Sequence, residues 1–323
     1  MNKKKSFVVG IDVSKGTINA YFKGKDCEYE NNRRGWNMLL KEAPSKAAFA
    51  MEATGNYHYK LASHLRAKGF DVLVFNPLWV RRYMQSLGSK AKTDRKDAEL
   101  IAKYAGTEDA QKQSWEPLPP KLARAKVVAA LLARLAKMER AAGNMNHAIS
   151  LVAGKGDSLL DPMGNVSDVC KEQQKALKEE LCGLVGELFP EKFRLLQSIP
   201  GIGAKTAACI LVGTKGLEFK TCRQLASFVG LAPCVYESGV SVRGRGRIRK
   251  TGNSYLRALL YVCTMQATKT CKPCADLYDR LVGRGKPKLL ARVAVMHRLV
   301  KIAFGVIQSG EPYRGGRVQA SPT

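Results

Sequence analysis

The chain has 323 residues, 45% of them hydrophobic, and its 54 Lys and Arg against 27 Asp and Glu give a formal net charge of +27. That length accommodates two domains that each bury a core, and the positive excess points to a polyanionic partner, nucleic acid or an acidic membrane surface. The basic start MNKKKSFVVGIDVSKG runs straight into a strand pattern, and no stretch is apolar for about 18 residues, so a cytoplasmic protein without a membrane span is expected. The nine cysteines then read as reduced thiols.

The first hundred residues alternate short apolar runs with amphipathic stretches, the pattern of an α/β domain. SFVVGIDV, TINAYF and CEYEN read as three strands, the first two as a hairpin. RRGWNMLLKEA reads as a helix, AAFAME as a strand, YHYKLASHLRAKG as a helix and FDVLVFN as a strand ended by Pro77. A further helix begins near Thr93 and runs through DRKDAELIAKYAG.

Beyond EPLPP, residues 121 to 153 keep apolar side chains at helical spacing with basic residues between them, which predicts one long helix. A loop over 154 to 167 leads to a second helix near 168 to 188, so the two form a hairpin or half of a coiled coil. The last third opens with LLQSIPGIGAKTAACIL, two helices around a Pro-Gly-Ile-Gly turn, and residues 220 to 323 hold 19 basic against 4 acidic residues. The Gly, Arg and Pro rich tail after Glu311 reads as disordered.

Several of these residues can carry chemistry. Asp12 and Glu52 each end a strand, where a carboxylate either accepts backbone hydrogen bonds or, if the two strands are neighbours, faces a divalent metal. Asp94 and Asp97 stand three apart on one helix face; they suit a helix first turn capped by Thr93, or they complete the metal site. Four carboxylates supply the oxygen ligands that Mg²⁺ or Mn²⁺ requires.

PGIGAKTA offers glycines and Lys205 at a helix start, a place where a backbone phosphate can sit, or else a tight turn between packed helices. In ESGVSVRGRGRIRKTGNSYLR, Arg243, Arg245, Arg247 and Arg249 alternate with smaller residues and Lys250 follows, so an extended segment aligns them along a phosphate backbone. Ser238 and Ser241 precede that run, as turn residues or as a nucleophile beside cations. Cys271 and Cys274 form a lone CxxC and read as small residues of a helical segment rather than a metal or redox site.

As a set these motifs resemble insertion-sequence transposases with a DEDD carboxylate set, related to the Piv DNA invertases and including bridge-RNA-guided recombinases. VVGIDVSKGTINAYF, AMEATGNYHYKL and KTDRKDAELIAKYA resemble the family's RuvC-like domain. SIPGIGAKTAACIL and LASFVGLAPCVYESGVSVRGRGRIRKTGNSYLRALL resemble its C-terminal transposase domain.

The resemblance implies a ribonuclease-H-like fold over 1–115, a helical oligomerisation hairpin over 116–190, a mainly α transposase domain with a helix-hairpin-helix-like element over 191–310, and a tail over 311–323. It implies that Asp12, Glu52, Asp94 and Asp97 bind metal and that Ser238, with Ser241 beside it, attacks DNA from a partner subunit. Its implied partners are donor and target DNA, a structured bridge RNA and further copies of the chain as a dimer of dimers, at the nucleoid. A RuvC-like nuclease that resolves junctions with water as nucleophile is the competing reading.

Overall fold

The structure, a computed structural model, describes residues 7–53, 55–87, 94–107, 114–234, 237–238, 242–243, 247–248 and 252–315, with the backbone alone at 94–96, 234, 237–238, 242–243 and 247. The chain divides into two compact units at Leu118/Pro119.

In the first unit five strands form one sheet: β1 (Val8–Val13), β2 (Thr17–Phe22), β3 (Lys25–Glu30), β4 (Ala48–Glu52) and β5 (Asp71–Phe75), in the order β3-β2-β1-β4-β5. β1, β2 and β3 make the antiparallel meander, whereas β4 and β5 join parallel through crossovers. Strand alternation decides what each face buries. Val9, Ile11, Val13, Ile18, Ala20, Phe49 and Met51 form one core with Trp36, Leu39, Leu61 and Leu65, from α1 (Arg33–Glu42) and α2 (His58–Ala67).

The opposite face packs Ala50, Leu73 and Phe75 against Val80 of α3 (Pro77–Ser86) and Ile101 and Ala105 of α4 (Asp94–Ala105). The sequence reading treated Pro77 only as a terminator. It is instead the first residue of α3, with Asn76 as cap accepting a hydrogen bond from Leu78 N–H at 2.9 Å. Proline suits that position because the first helical N–H has no partner to lose.

The second unit is helical apart from two short β ladders. α5 (Pro120–Val152) and α6 (Asp161–Leu188) pack along their length. They are antiparallel, since Lys121 pairs with Glu187, Arg124 with Glu180 and Glu139 with Gln174. α6 starts at Asp161, seven residues earlier than the expected 168, again with proline in its first turn. Exposed ion pairs of this kind contribute about 0–1 kcal/mol each, so the apolar seam of Ala125, Val128, Leu132, Leu181 and Val185 holds the pair together.

That seam continues into the core made by α7 (Pro190–Gln197), α8 (Ala204–Gly213), α9 (Cys222–Val229), α10 (Ser254–Thr270), α11 (Lys272–Gly283) and α12 (Lys288–Ser309). Between α9 and α10 lie β6 (Pro233–Cys234), β7 (Glu237–Ser238), β8 (Val242–Arg243) and β9 (Arg247–Ile248). β6 pairs antiparallel with β9, and β7 with β8, as two two-stranded ladders nested in sequence. Of the tail expected to be disordered, Tyr313 is held, its N–H donating to Ser198 Oγ at 2.8 Å, and residues 316–323 lie outside the described residues. No helix among the described residues is long and apolar enough to cross a membrane.

Candidate active site

Asp12 and Glu52 follow directly on a fixed register. β1 and β4 run parallel with Ile11 beside Met51, so the next residue on each strand, Asp12 and Glu52, stand side by side on neighbouring strands about 4.8 Å apart. Asp12 shares the face of Gly10, and Glu52 that of Ala50. Both therefore face α4.

Gly10 sets how close α4 comes. A Cβ there would lie 2.1 Å from the Ala98 carbonyl oxygen and 2.6 Å from the Ala102 nitrogen, so the helix backbone rests directly on the strand. Val8, at the start of β1, packs with the cluster that holds Ile101 and Ala105, toward the helix end. α4 thus runs antiparallel to β1, and its N-terminus points to the end of the strand that carries Asp12.

The distances agree. From Ala98 back to Asp94 is four residues, about 6 Å of helix; from Gly10 forward to Asp12 is two residues, about 6.6 Å of strand. Asp97, partly buried, and the backbone of Asp94 consequently lie over the strand ends of Asp12 and Glu52. The start of α4 therefore lies toward the C-terminal ends of β1 and β4, but among the described residues Asp12, Glu52 and Asp97 do not close into a three-carboxylate cluster that could hold a metal ion.

Sequence reasoning missed Asn19. It is the antiparallel partner of Asp12 across β1 and β2, and β2 buries Ile18, Ala20 and Phe22 on the other face, so Asn19 joins Asp12 on the α4 side. The alternation of TINAYF marked Asn19 as outward, but only the pairing tells whose neighbour it is.

His58, at the start of α2, is 8% exposed, and burial pushes its imidazole below the usual range. The nearby Asp71 and Glu116 both pair with Arg66, which ties the segment after α4 to the edge of the sheet.

The other candidates lie in the second unit. Ser238 stands opposite Val242, and Arg243 opposite Glu237, in the β7–β8 ladder. Arg247 lies in the outer pair, opposite Cys234. Ser241, Arg245, Arg249 and Lys250 lie outside the described residues.

The base of these ladders is fixed. A Cβ on Gly252 would be 2.1 Å from the Phe228 carbonyl oxygen, and Arg257 Nη1 donates to Val229 O at 3.1 Å and Gly252 O at 2.7 Å. The clamp holds the end of α9 against the start of α10.

In PGIGAKTA the two glycines differ. Gly201, at φ 93°, faces α10, where a Cβ would meet Cys263 O at 2.9 Å, so it serves packing rather than phosphate approach. Gly203 is open and caps α8, and Lys205 in the first turn lies 5.8 Å from the Tyr255 ring centre.

Cys271 and Cys274 are buried in the helical core. Their mutual hydrogen bond lowers the Cys271 thiol to about 6 and pushes that of Cys274 up. Among the described residues no three His, Cys, Asp or Glu lie close enough together to hold a metal ion.

Residues 9–148 match the DEDD transposase family of the IS110 type, and residues 193–280 match the family described as "Transposase IS116/IS110/IS902 family". The chain belongs to the IS110 family of transposases. It is 29% identical to the pilin gene-inverting protein of Moraxella bovis over 317 residues, 94% of this chain and 97% of that protein. It is 30% identical over 166 residues to the insertion element IS110 uncharacterized 43.6 kDa protein of Streptomyces coelicolor, 50% of this chain and 40% of that one. A transposase for insertion sequence element IS1111A of Coxiella burnetii is 32% identical over 132 residues, 39% of this chain and 35% of that protein.

An IS110-family transposase is a DNA recombinase, so the protein binds DNA, and the DEDD family implies dependence on a divalent metal. The residues fit that requirement by type. Asp12, Glu52 and Asp97 offer carboxylate oxygens and Asn19 an amide oxygen, the hard donors that such ions take.

Proposed function

We propose that this IS110-family transposase cuts and exchanges DNA strands with Asp12, Glu52, Asp94 and Asp97 as its metal-holding acids and Ser238 as its nucleophile. The parallel register that sets Asp12 beside Glu52, under the N-terminal turn of α4, carries the reading. Divalent ions, when bound, neutralise charge on the scissile phosphate and stabilise the leaving oxygen.

The chain's own residues do the rest. The four acids fix where the phosphate sits, and Lys92, Arg95 and Lys96 supply cations beside them in sequence. The Ser238 oxygen bonds to phosphorus as a deoxyribose oxygen leaves; the hydroxyl proton is lost and the leaving oxygen gains one. The bond energy is kept in a phosphoserine link, which a second strand end reverses, so no external energy source is required. The name of the Moraxella relative, a gene-inverting protein, fits such conservative exchange.

Sequence choice belongs, in this reading, to a structured guide RNA that pairs with donor and target DNA, while a dimer of dimers brings Ser238 of one subunit to the acids of another. The strongly basic last third supports a protein that grips phosphates and leaves base reading to RNA.

The test is a covalent protein–DNA adduct trapped on a cleavable substrate with RNA copurified from cells that hold the native flanking DNA. Wild type forms it and Ser238→Ala does not. An adduct lost only in Ser241→Ala moves the nucleophile. Nicked ends with no adduct from wild type favour the water-dependent resolvase.

A further inference from the structure

A second basic feature of the helical unit lies on α5. One face of α5 carries Lys126, Arg134, Lys137 and Arg140, separated by Ala129, Ala130, Ala133 and Ala136. It borders a cavity of about 710 Å³ closed by the start of α10 and the end of α8. Among the described residues no carboxylate lines that cavity.

The two sides of α5 are built differently. Ala125, Val128 and Leu132 face the seam with α6, and Lys121, Arg124 and Glu139 pair across it. The cation and alanine face points to the cavity instead. From Lys126 to Arg140 is fourteen residues, about 21 Å of helix, which is the length of about six nucleotides along one strand of a B-form duplex.

Each component favours an extended polyanion. The alanine floor lets a backbone approach the helix closely, and four cations in a row repel unless an anion lies among them. The N-terminus of α10, capped by Asn253, adds a positive partial charge to the far wall. Lys126 is half-buried, and burial with the nearby Lys215 pushes its ammonium group's pKa down, a cost that a phosphate would remove. A compact anion would occupy only one end of the row, and an acidic membrane surface cannot enter a cavity between helices.

We infer that the cleft between α5 and the start of α10 is a sequence-independent binding site for the phosphodiester backbone of a nucleic-acid strand. It rests on the reading of the chain as a nucleic-acid recombinase only for the class of ligand. Binding here needs neither Ser238 nor the acids.

The experiment measures binding by fluorescence anisotropy in EDTA, at several salt concentrations, to a DNA duplex, a single DNA strand and an RNA stem-loop. Wild type is compared with Arg134→Ala/Lys137→Ala/Arg140→Ala and with Lys137→Glu, all four cleft side chains except Lys126 being exposed. The control, Lys155→Ala/Lys175→Ala/Lys178→Ala, removes the same charge elsewhere in the helical pair. The triple cleft variant is expected to bind at least one of the three ligands tenfold or more weakly, with the salt slope lower by about 2 to 3. The ligand affected identifies the strand that the cleft holds.

Lys137→Glu is expected to follow the triple variant in direction, and circular dichroism to show both folded. Equal binding by wild type and cleft variants to all three ligands overturns the inference, as does an equal loss in the control. Cleavage with a divalent ion, followed separately in Asp97→Asn, tests the catalytic reading, whereas anisotropy in EDTA reads the cleft alone, so the two failures are told apart.

Discussion

Replacing Gly10 by alanine tests the packing of α4 against the strand that carries Asp12. The added Cβ would stand 2.1 Å from the Ala98 carbonyl oxygen, 2.6 Å from Ala102 N and 2.8 Å from Ala102 Cβ, and ordinary contact begins near 3.4 Å. The obstructing atoms are mostly helix backbone, so α4 has to lift by about 1.3 Å, the difference between 2.1 and 3.4 Å. Overpacking of that kind costs about 1–3 kcal/mol, a fall in melting temperature of roughly 5–20 °C for a unit this size.

The lift also carries Asp94 and Asp97 away from Asp12 and Glu52, and a displacement of about 1 Å at a reacting centre costs about 10²-fold in rate. Strand-cleavage rate and thermal melting, followed together, read both effects. Gly16→Ala is the control, because nothing lies within 4 Å of its Cβ. Gly10→Ala is expected to cut more slowly than its loss of stability explains. Cleavage and melting equal to wild type would refute the close approach of α4.

Two further outcomes follow from the same kind of argument. Asn253 accepts hydrogen bonds from the N–H groups of Tyr255 at 3.0 Å and Leu256 at 3.1 Å, so Asn253→Ala should lower the unfolding free energy by about 1 kcal/mol, measured by urea denaturation; no change would mean that water replaces the cap without cost. His58 has its folded pKa below the ordinary 6.5 because of burial, so the unfolded chain binds a proton that the folded one does not. Its contribution to stability is complete above about pH 6.5 and declines as pH falls below that value. The melting temperature of wild type should therefore drop more between pH 7.5 and 5.5 than that of His58→Gln, and parallel curves would exclude a role for His58.

The strands of the first unit were legible because their apolar alternation is local, as in TINAYF, where Ile18, Ala20 and Phe22 are all buried. Their pairing was not. β1 takes β4 as neighbour across 34 intervening residues, and no local signal states that Ile11 meets Met51. Asp12 and Glu52 could thus be named as candidates from their strand ends, but their adjacency, and Asn19 beside them, required the register.

Gly10 shows the same limit. In the sequence it is one more small residue of a strand, and only the crossing of α4 gives it a reason. α3 was missed because Pro77 read as the end of a strand, and the start of α6 because the Gly, Asp and Ser of 154–167 read as a loop, although both helices carry proline in the first turn, where it is well accommodated. The basic residues of α5 were visible as a pattern, whereas the wall opposite them comes from α10, more than a hundred residues later.

The central claim is that Asp12, Glu52, Asp94 and Asp97 act as one metal-holding set. Glu52→Gln tests it most directly, because it keeps the size of the side chain and one acceptor oxygen while removing the charge and replacing the second oxygen by an NH2 donor. With Mg²⁺ or Mn²⁺ and the copurified RNA, the account predicts a loss of DNA cleavage of at least about 10²-fold with unchanged DNA binding in EDTA. Cleavage by Glu52→Gln at the wild-type rate would contradict it.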